Sequence, residues 1–422
     1  MKPLSFLMLT TFYPPYNFGG DGIGIQRLSR GLVNAGHKVT IVHDADAYIS
    51  LAGREPNAQS DEPDGLEVIS LRSTFGKVSN LLTQQTGRPV VHGRQIQRII
   101  EDGDYDVINF HNISLVGGPG ILKYGKAIKL YMAHEHWLVC ESHVLWRHGV
   151  ERCDERECLK CVVSYKRPPQ IWRRTGYLER ELKHVDTFIA MSEFSKKKHA
   201  EFGFPRPMTV MPYFLPDLIP GEAKLEAAPH PRPYFLFVGR LEKIKGLDDV
   251  IPVFKDFEHA DLVIAGDGEY TEELKQIAAD NERVRFLGRV SPDELKSWYA
   301  SALALIVPSV CYETFGIILI ESFRQGTPVI ARRLGPFPEI VESAQAGRLF
   351  ESAEELLDTM KEFRQDPQLR SKLGEAGREA FTRQWSESAV IPRYLKIIRD
   401  AAVGRDMTDI VNRLEVKSPC ES

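Results

Sequence analysis

Val310-Cys311-Tyr312-Glu313-Thr314-Phe315-Gly316-Ile317-Ile318-Leu319-Ile320-Glu321 is the stretch whose surroundings decide the fold. Before it, Ala302 to Val307 is an apolar run of strand length. After it, Ile317 to Arg324 has the pattern of a helix, and Gly326-Thr327-Pro328 stops that helix. Buried strand, loop, helix, strand is the repeating step of an α/β chain with a parallel sheet. A glycine at the helix start lets backbone N–H groups approach an anion, and the helix dipole favours that charge. Glu313 and Glu321 then flank an anion-friendly turn, which suits a ligand carrying both phosphate and hydroxyls. On this stretch alone, two solvated surface glutamates are the competing reading.

Outward from it, the same step recurs. Downstream comes Val329-Ile330-Ala331, and from Ala353 the pattern is helical, with Trp385-Ser386-Glu387-Ser388 opening another amphipathic helix and Val416 to Ser422 a frayed tail. Upstream, Val284 to Leu287 is a strand before Gly288-Arg289-Val290, and Ser291-Pro292 has the order of an N-cap and first helical residue. Asp261 to Ala265 and Tyr234 to Val238 are strands, the latter leading into Gly239-Arg240-Leu241-Glu242-Lys243-Ile244-Lys245-Gly246. Arg240 and Lys245 at a strand's carboxyl end can neutralise a diphosphate, or can simply be solvated charges. Proline and glycine punctuate residues 205–233, which read as a linker.

The first half repeats the alternation independently. Leu4 to Leu9 is a strand, Gly19-Gly20-Asp21-Gly22-Ile23-Gly24 a glycine-rich turn, Ile25 to Asn34 a helix and Lys38 to Val42 the next strand. No dinucleotide fingerprint fits, and the acidic residue expected after the second strand is ambiguous between Asp44 and Asp46. Ala52 to Gly65 is polar and loop-like; Leu66 to Leu71, Val107 to Phe110 and Ile128 to Met132 read as strands, and Val91 to Ile100 as a helix. Two of these strands end at His111-Asn112 and at His134-Glu135-His136, where an open parallel sheet binds ligands. Asp186 to Met191 reads as the last strand of this half, with Ser192 capping the helix after it.

Between these strands sits an insertion, residues 137–165, with Cys140, Cys153, Cys158 and Cys161 spaced C-x12-C-x4-C-x2-C. The segment is too polar to fold round its own core, and four thiolates can hold tetrahedral zinc; four reduced thiols in an ordinary loop are the alternative. His143 and His148 are spare ligands. Tyr165 to Arg180 interleaves aromatic and basic residues, which suits either an anionic membrane surface or a solvated helix face.

The chain has 422 residues, 43% hydrophobic and 27% charged, with formal net charge -4. That length implies two domains, the composition a globular protein, and the charge no general attraction to nucleic acid. No apolar run is long enough to span a bilayer. Leu4 to Leu9 lacks a following small-residue cleavage site, so a cytoplasmic location is expected, where six cysteines do not imply disulfides.

Glu313 and Glu321 with Phe315-Gly316 between them resemble the E-x7-E signature of retaining glycosyltransferases of the family 4 type. The Gly239-Arg240 to Lys245-Gly246 loop, Gly326-Thr327-Pro328-Val329-Ile330, Gly19-Gly20, Gly36-His37-Lys38-Val39 and the strand ending at His111 are similar to the same family. The resemblance implies a GT-B fold, two facing Rossmann-like domains with a C-terminal helix crossing back. The divisions expected are an N-terminal acceptor domain over 1–212, a linker over 213–233, a donor domain over 234–384 and the crossing helix with tail over 385–422.

It also implies roles. Arg240 and Lys245 would hold the diphosphate of a nucleotide-sugar donor, and Glu321 the ribose hydroxyls. Glu313 would contact the transferred sugar, helped by the backbone at Phe315, Gly316 and Ile317. Arg289 and Val290 would meet the base, Gly20 would face the diphosphate from the other domain, and His134 would lie near the reactive centre. Glu135 and Asp21 stand where the family more often carries aspartate and glutamate. A glycan or lipid-linked acceptor is implied, and no catalytic metal or organic cofactor; peripheral contact at the inner membrane surface is an option that rests on the basic and aromatic run alone. A nucleotide-sugar epimerase of the same architecture and a non-catalytic binding protein using the cysteine module are the competing functions.

Overall fold

A computed structural model describes residues 2–57, 61–219, 228–279 and 281–415. Pro220 and Gly221 of the expected linker, and the tail from Val416 to Ser422, lie outside the described residues. The strands are β1 (Ser5–Leu9), β2 (Lys38–Asp44), β3 (Leu66–Leu71), β4 (Val107–Phe110), β5 (Ile128–Ala133), β6 (Trp146–Arg147), β7 (Glu151–Arg152), β8 (Thr187–Ala190) and β9 (Met208–Val210), then β10 (Tyr234–Val238), β11 (Asp261–Ala265), β12 (Val284–Gly288), β13 (Leu305–Val307), β14 (Val329–Arg332) and β15 (Gly347–Phe350). Seven form one sheet, ordered β3-β2-β1-β4-β5-β8-β9, and six form a second, ordered β12-β11-β10-β13-β14-β15. All pairs in both are parallel. The short β6–β7 hairpin stands apart, inside the cysteine-bearing insertion.

Helices cover both faces of each sheet, so central strands are apolar throughout: Val107–Phe110 and Ile128–Ala133 are buried at every residue. In both sheets the order reverses beside the first strand, between β1 and β4 and between β10 and β13. Loops leaving such neighbours in opposite directions open a crevice at their carboxyl ends. The fold thus brings together the segments after β1, β4, β10 and β13.

The final long helix, Glu387–Gly404, ties the halves together. Val390, Ile391, Tyr394 and Ile398 lie in the core cluster that holds Phe6 and Met8 of β1. Tyr394 Oη accepts a 2.9 Å bond from Asn109 of β4, and Arg405 reaches the main-chain oxygens of Lys126 and Ala127. Ser386 caps this helix and Ser291 caps Pro292–Ser301 with a capping box.

Several expectations need correction. The first helix is Gly20–Asn34, so the glycines expected in a turn are its opening turns. They serve close approach: a Cβ on Gly24 would stand 2.3 Å from the Tyr213 ring. Ala45–Ala52, to which the sequence reading gave no element, is a helix capped by the Asp44 side chain, and the polar stretch begins only at its end. The first sheet does not end at Ala190. β9 follows as a three-residue edge strand, hidden from sequence by Pro205, Pro207 and Pro212 around it. In the Tyr165–Arg180 run, Trp172 and Tyr177 point into the core, and Arg173 stacks on Trp137 and Trp172 at 4.9 Å. Trp172 and Tyr177 are thus core residues, while Lys166, Arg167, Arg174 and Arg180 of the run stay exposed.

Candidate functional site

The residues expected to hold a donor converge from β10 and β13. After β10 the chain makes a short helical turn, Lys243–Lys245, ended by Gly246 with φ 70°. A Cβ there would lie 2.3 Å from the Pro308 oxygen, so glycine is what lets this turn press against the loop after β13. The result is a 2.5 Å contact between Lys245 Nζ and Glu313 Oε1, with Ser309 Oγ donating to the same oxygen at 3.1 Å. Burial pushes the Glu313 carboxyl up, but Lys245 and Ser309 pull harder and hold it below the usual carboxylate range. Burial pulls Lys245 down, and Glu313 more than restores it. Both shifts favour the charged pair.

Glu313 precedes a helix start built for anions. Gly316, at φ 105°, is the N-cap of Ile317–Arg324, and no side chain caps that helix. The first helix, Gly20–Asn34, also has a glycine N-cap without a side-chain bond. The two starts face one another: a Cβ on Gly20 would meet Ile317 Cγ2 at 3.8 Å. Orphan N–H groups and two positive dipole ends thus look into one cleft. Phe315 is buried against the Tyr213 ring at 5.7 Å, which fixes the turn. Further along, Glu321 receives Tyr299 Oη at 3.1 Å and Arg27 Nη2 at 3.3 Å.

Arg240 is the exposed member, pairing with Glu242 at 2.8 Å while 57% of its side chain remains open. It borders two cavities. One, about 470 Å³, is lined by Phe18, Tyr48, Asp267, Arg289 and Val290. The other, about 620 Å³, is lined by Leu81, Asn112, Ser114, Glu135 and His143 of the first domain. Arg289 and Val290 therefore border the same cavity as Arg240.

His134 is placed differently from its neighbours. Its Nε2 lies 2.8 Å from His111 Nδ1, its Nδ1 lies 2.5 Å from Tyr213 Oη, and its main-chain oxygen accepts Thr314 Oγ1 at 2.8 Å. Burial holds it down at about 3, so the ring is neutral at physiological pH. Both ring nitrogens are occupied, and His134 here braces the loop after β13. Beside it, burial and Glu135 raise the Asp21 carboxyl, and Glu135 bonds His143 at 2.7 Å.

Sequence reading did not assign Arg27, Tyr299, Ser309 or Tyr213 to the site. Arg27 alone left a trace, lying two helical turns after Gly20 and so on the same face. The four insertion cysteines are neighbours. Burial, then the nearby Cys140, Cys158 and Cys161, raises the Cys153 thiol to about 12, and the His148 N–H points at Cys161 Sγ from 3.3 Å. Their sulfurs do not close to metal-binding spacing. Among the described residues, the set of three whose donor atoms lie within 4.8 Å of one another is Asp44, Asp46 and His92.

Two facing parallel α/β domains, a basic loop and a helix start aimed into the cleft define the class of GT-B glycosyltransferases. Comparison with known proteins agrees. Residues 18–215 match the family described as Glycosyltransferase Family 4, and residues 222–380 match Glycosyl transferases group 1. The chain belongs to the family 4 glycosyltransferases. It is 27% identical to phosphatidyl-myo-inositol mannosyltransferase of Mycobacterium leprae, over 94% of this chain and 98% of that protein. Sucrose-phosphate synthase from Thermosynechococcus elongatus superposes with TM-score 0.72 at 18% identity, covering 95% of this chain and 100% of that one. Anabaena HepE in complex with UDP-glucose superposes with TM-score 0.63 at 16% identity, covering 95% and 100%. The two structural likenesses establish the fold.

Proposed function

We propose that this enzyme moves a sugar, with retention at the anomeric carbon, from a nucleoside-diphosphate donor to a hydroxyl on a lipid-linked or glycan acceptor. The observation that carries the reading is the Lys245–Glu313 pair set at an uncapped helix start that faces a second one. As the bond from the anomeric carbon to the diphosphate oxygen breaks, negative charge grows on the leaving group. Lys245, Arg240 and the N–H groups near Gly316 and Gly20 stabilise it. The acceptor oxygen attacks from the face the diphosphate leaves, and its proton passes to a diphosphate oxygen. Glu321 takes the ribose hydroxyls, Glu313 the transferred sugar, and the backbone near Arg289 and Val290 the base. Glu313 is tied to Lys245 and Ser309, which suits a binding role better than a covalent nucleophile. Basic side chains supply the countercharge, so turnover is independent of added magnesium or manganese.

For the acceptor, the cavity of about 620 Å³ supports an amphipathic molecule. Glu135, Asn112 and His143 offer polar contacts, while Leu81 lines its wall on a helix, Gly76–Thr86, that also exposes Val78 and Leu82. Among the described residues no helix is long and apolar enough to cross a membrane. The work we assign is cell-surface polysaccharide or lipopolysaccharide assembly on a membrane face. The mycobacterial relative, by its name a phosphatidyl-myo-inositol mannosyltransferase, supports a lipid acceptor.

A thermal-shift panel of nucleoside diphosphates and their sugars names the base and sugar. Product analysis with and without acceptor follows. Sugar transferred with retained anomeric configuration supports the proposal. An epimerised donor in the absence of any acceptor replaces transfer with epimerisation.

A further inference from the structure

Asp44, Asp46 and His92 have no task in the donor cleft, yet they meet inside the first domain. Asp44 ends β2, Asp46 lies in the first turn of Ala45–Ala52, and His92 is the N-cap of Gly93–Asp102. Their exposures are 0%, 6% and 5%, and one donor atom from each lies within 4.8 Å of the other two. Asp44 Oδ1 accepts the Ala47 N–H at 3.0 Å, which caps the helix, but Oδ2 has no partner. His92 Nε2 stands 3.5 Å from Asp46 Oδ2 and makes no hydrogen bond. Asp46 Oδ2 is held by Ser73, from N at 2.8 Å and from Oγ at 2.7 Å.

Two buried carboxylates and an imidazole with unpartnered atoms between them form a costly arrangement unless something sits among them. A cation satisfies both orphans at once. An imidazole beside two carboxylates suits a zinc-class ion, whereas calcium and magnesium ask for oxygens alone and more of them. Ser73 acts as the outer partner that orients a ligating carboxylate.

We infer that Asp44, Asp46 and His92 form a buried structural site for a divalent transition ion of the zinc class, supplying three of its ligands. The ligands tie the end of β2 to two helices, and Ser73 adds the segment after β3. Tyr48, two residues beyond Asp46, stacks on Phe18 at 4.7 Å, and Phe18 leads into Gly19-Gly20. The ion therefore stiffens the wall from which Gly20 faces Ile317.

The test is metal analysis of the full chain purified without a metal-affinity tag, alongside His92→Gln. The expected result is loss of one zinc equivalent in the variant relative to the parent, whatever the cysteines hold. Should His92→Gln fail to fold, cobalt titration of the metal-stripped parent chain decides. A cobalt spectrum containing a nitrogen- and oxygen-ligated ion, free of thiolate charge transfer, supports the site. Equal zinc in parent and variant, or cobalt bound through thiolates alone, overturns it.

Discussion

Tyr312 Oη donates a 2.5 Å hydrogen bond to Asp154 Oδ1, joining the loop that carries Glu313 to the cysteine-bearing insertion of the other domain. Lys198 Nζ sits 4.4 Å above the same ring, and Tyr312 packs with Leu145, Cys153 and Phe202. The insertion therefore grips the residue next to the one that pairs with Lys245. It helps position the Glu313 loop, which gives it a use beyond filling a surface.

Tyr312→Phe keeps the ring and removes the bond. A hydrogen bond of this kind contributes about 0.5–1.5 kcal/mol net, so the donor KM should rise about 2- to 10-fold with kcat little changed. Asp154→Asn should give the same direction and a smaller size. Steady-state kinetics at varied donor concentration check it; an unchanged KM in both variants means the contact does not position the loop.

Lys245 and Glu313 separate binding from chemistry. In the free enzyme Glu313 occupies the ammonium that the diphosphate would take. Lys245→Ala should lower kcat about 10²–10³-fold, the usual cost of losing one group that stabilises transition-state charge. Lys245→Arg should not restore it, because a planar fork does not fit where a point charge sits. Glu313→Gln frees the lysine, so kcat should fall while donor KM stays level or drops. Near-normal kcat in both Lys245 variants would remove this lysine from the mechanism.

Much of this site was readable because it is contiguous. Glycine, glutamate and helix start follow one another between Val310 and Glu321, and Arg240 to Gly246 forms one loop. Alternating strand signals were likewise local, so the two parallel sheets could be read. What could not be read is what folding brings from afar. Arg27 and Glu321 are 294 residues apart in the chain, and Tyr213 reaches His134 only because Gly24 leaves room for its ring. His134 was legible as a strand-end histidine, but its two occupied nitrogens depend on three separate segments. β9 was masked by its prolines, and the insertion's grip on Tyr312 leaves no periodic pattern at all.

Buried histidines set the response to acid. Burial holds His134 and His136 down at about 3, and His43 and His199 at about 4. An unfolded histidine titrates near about 6.5. The folded values are depressed, so this stability is fully present above about pH 6.5 and is lost as pH falls toward the folded values. Each contributes about 1.4 kcal/mol per pH unit in that window. Urea midpoints should therefore drop clearly between about pH 7.5 and about pH 5, and His43→Gln should flatten the slope. Equal midpoints across that range would mean the folded rings take up protons over the same range as unfolded ones.

The cysteine module should depend on zinc. Around its hairpin, β6–β7, and its helix, Cys158–Ser164, the buried apolar side chains are few: Leu145, Trp146, Cys153, Cys161 and Val162. So few buried side chains, with Trp137 and Leu138 anchored in the domain core, offset only part of the segment's conformational entropy. Four thiols that neighbour one another are the donor set that tetrahedral zinc takes. Cys158→Ser should lower the zinc content of tag-free protein and raise the donor KM in the same direction as Tyr312→Phe, because Asp154 lies between Cys153 and Cys158. Chelation of the parent enzyme should reproduce the KM rise, and added zinc should reverse it. Zinc content unchanged by Cys158→Ser would show that the thiols hold no metal. A KM unmoved by chelation would show that the module folds without it.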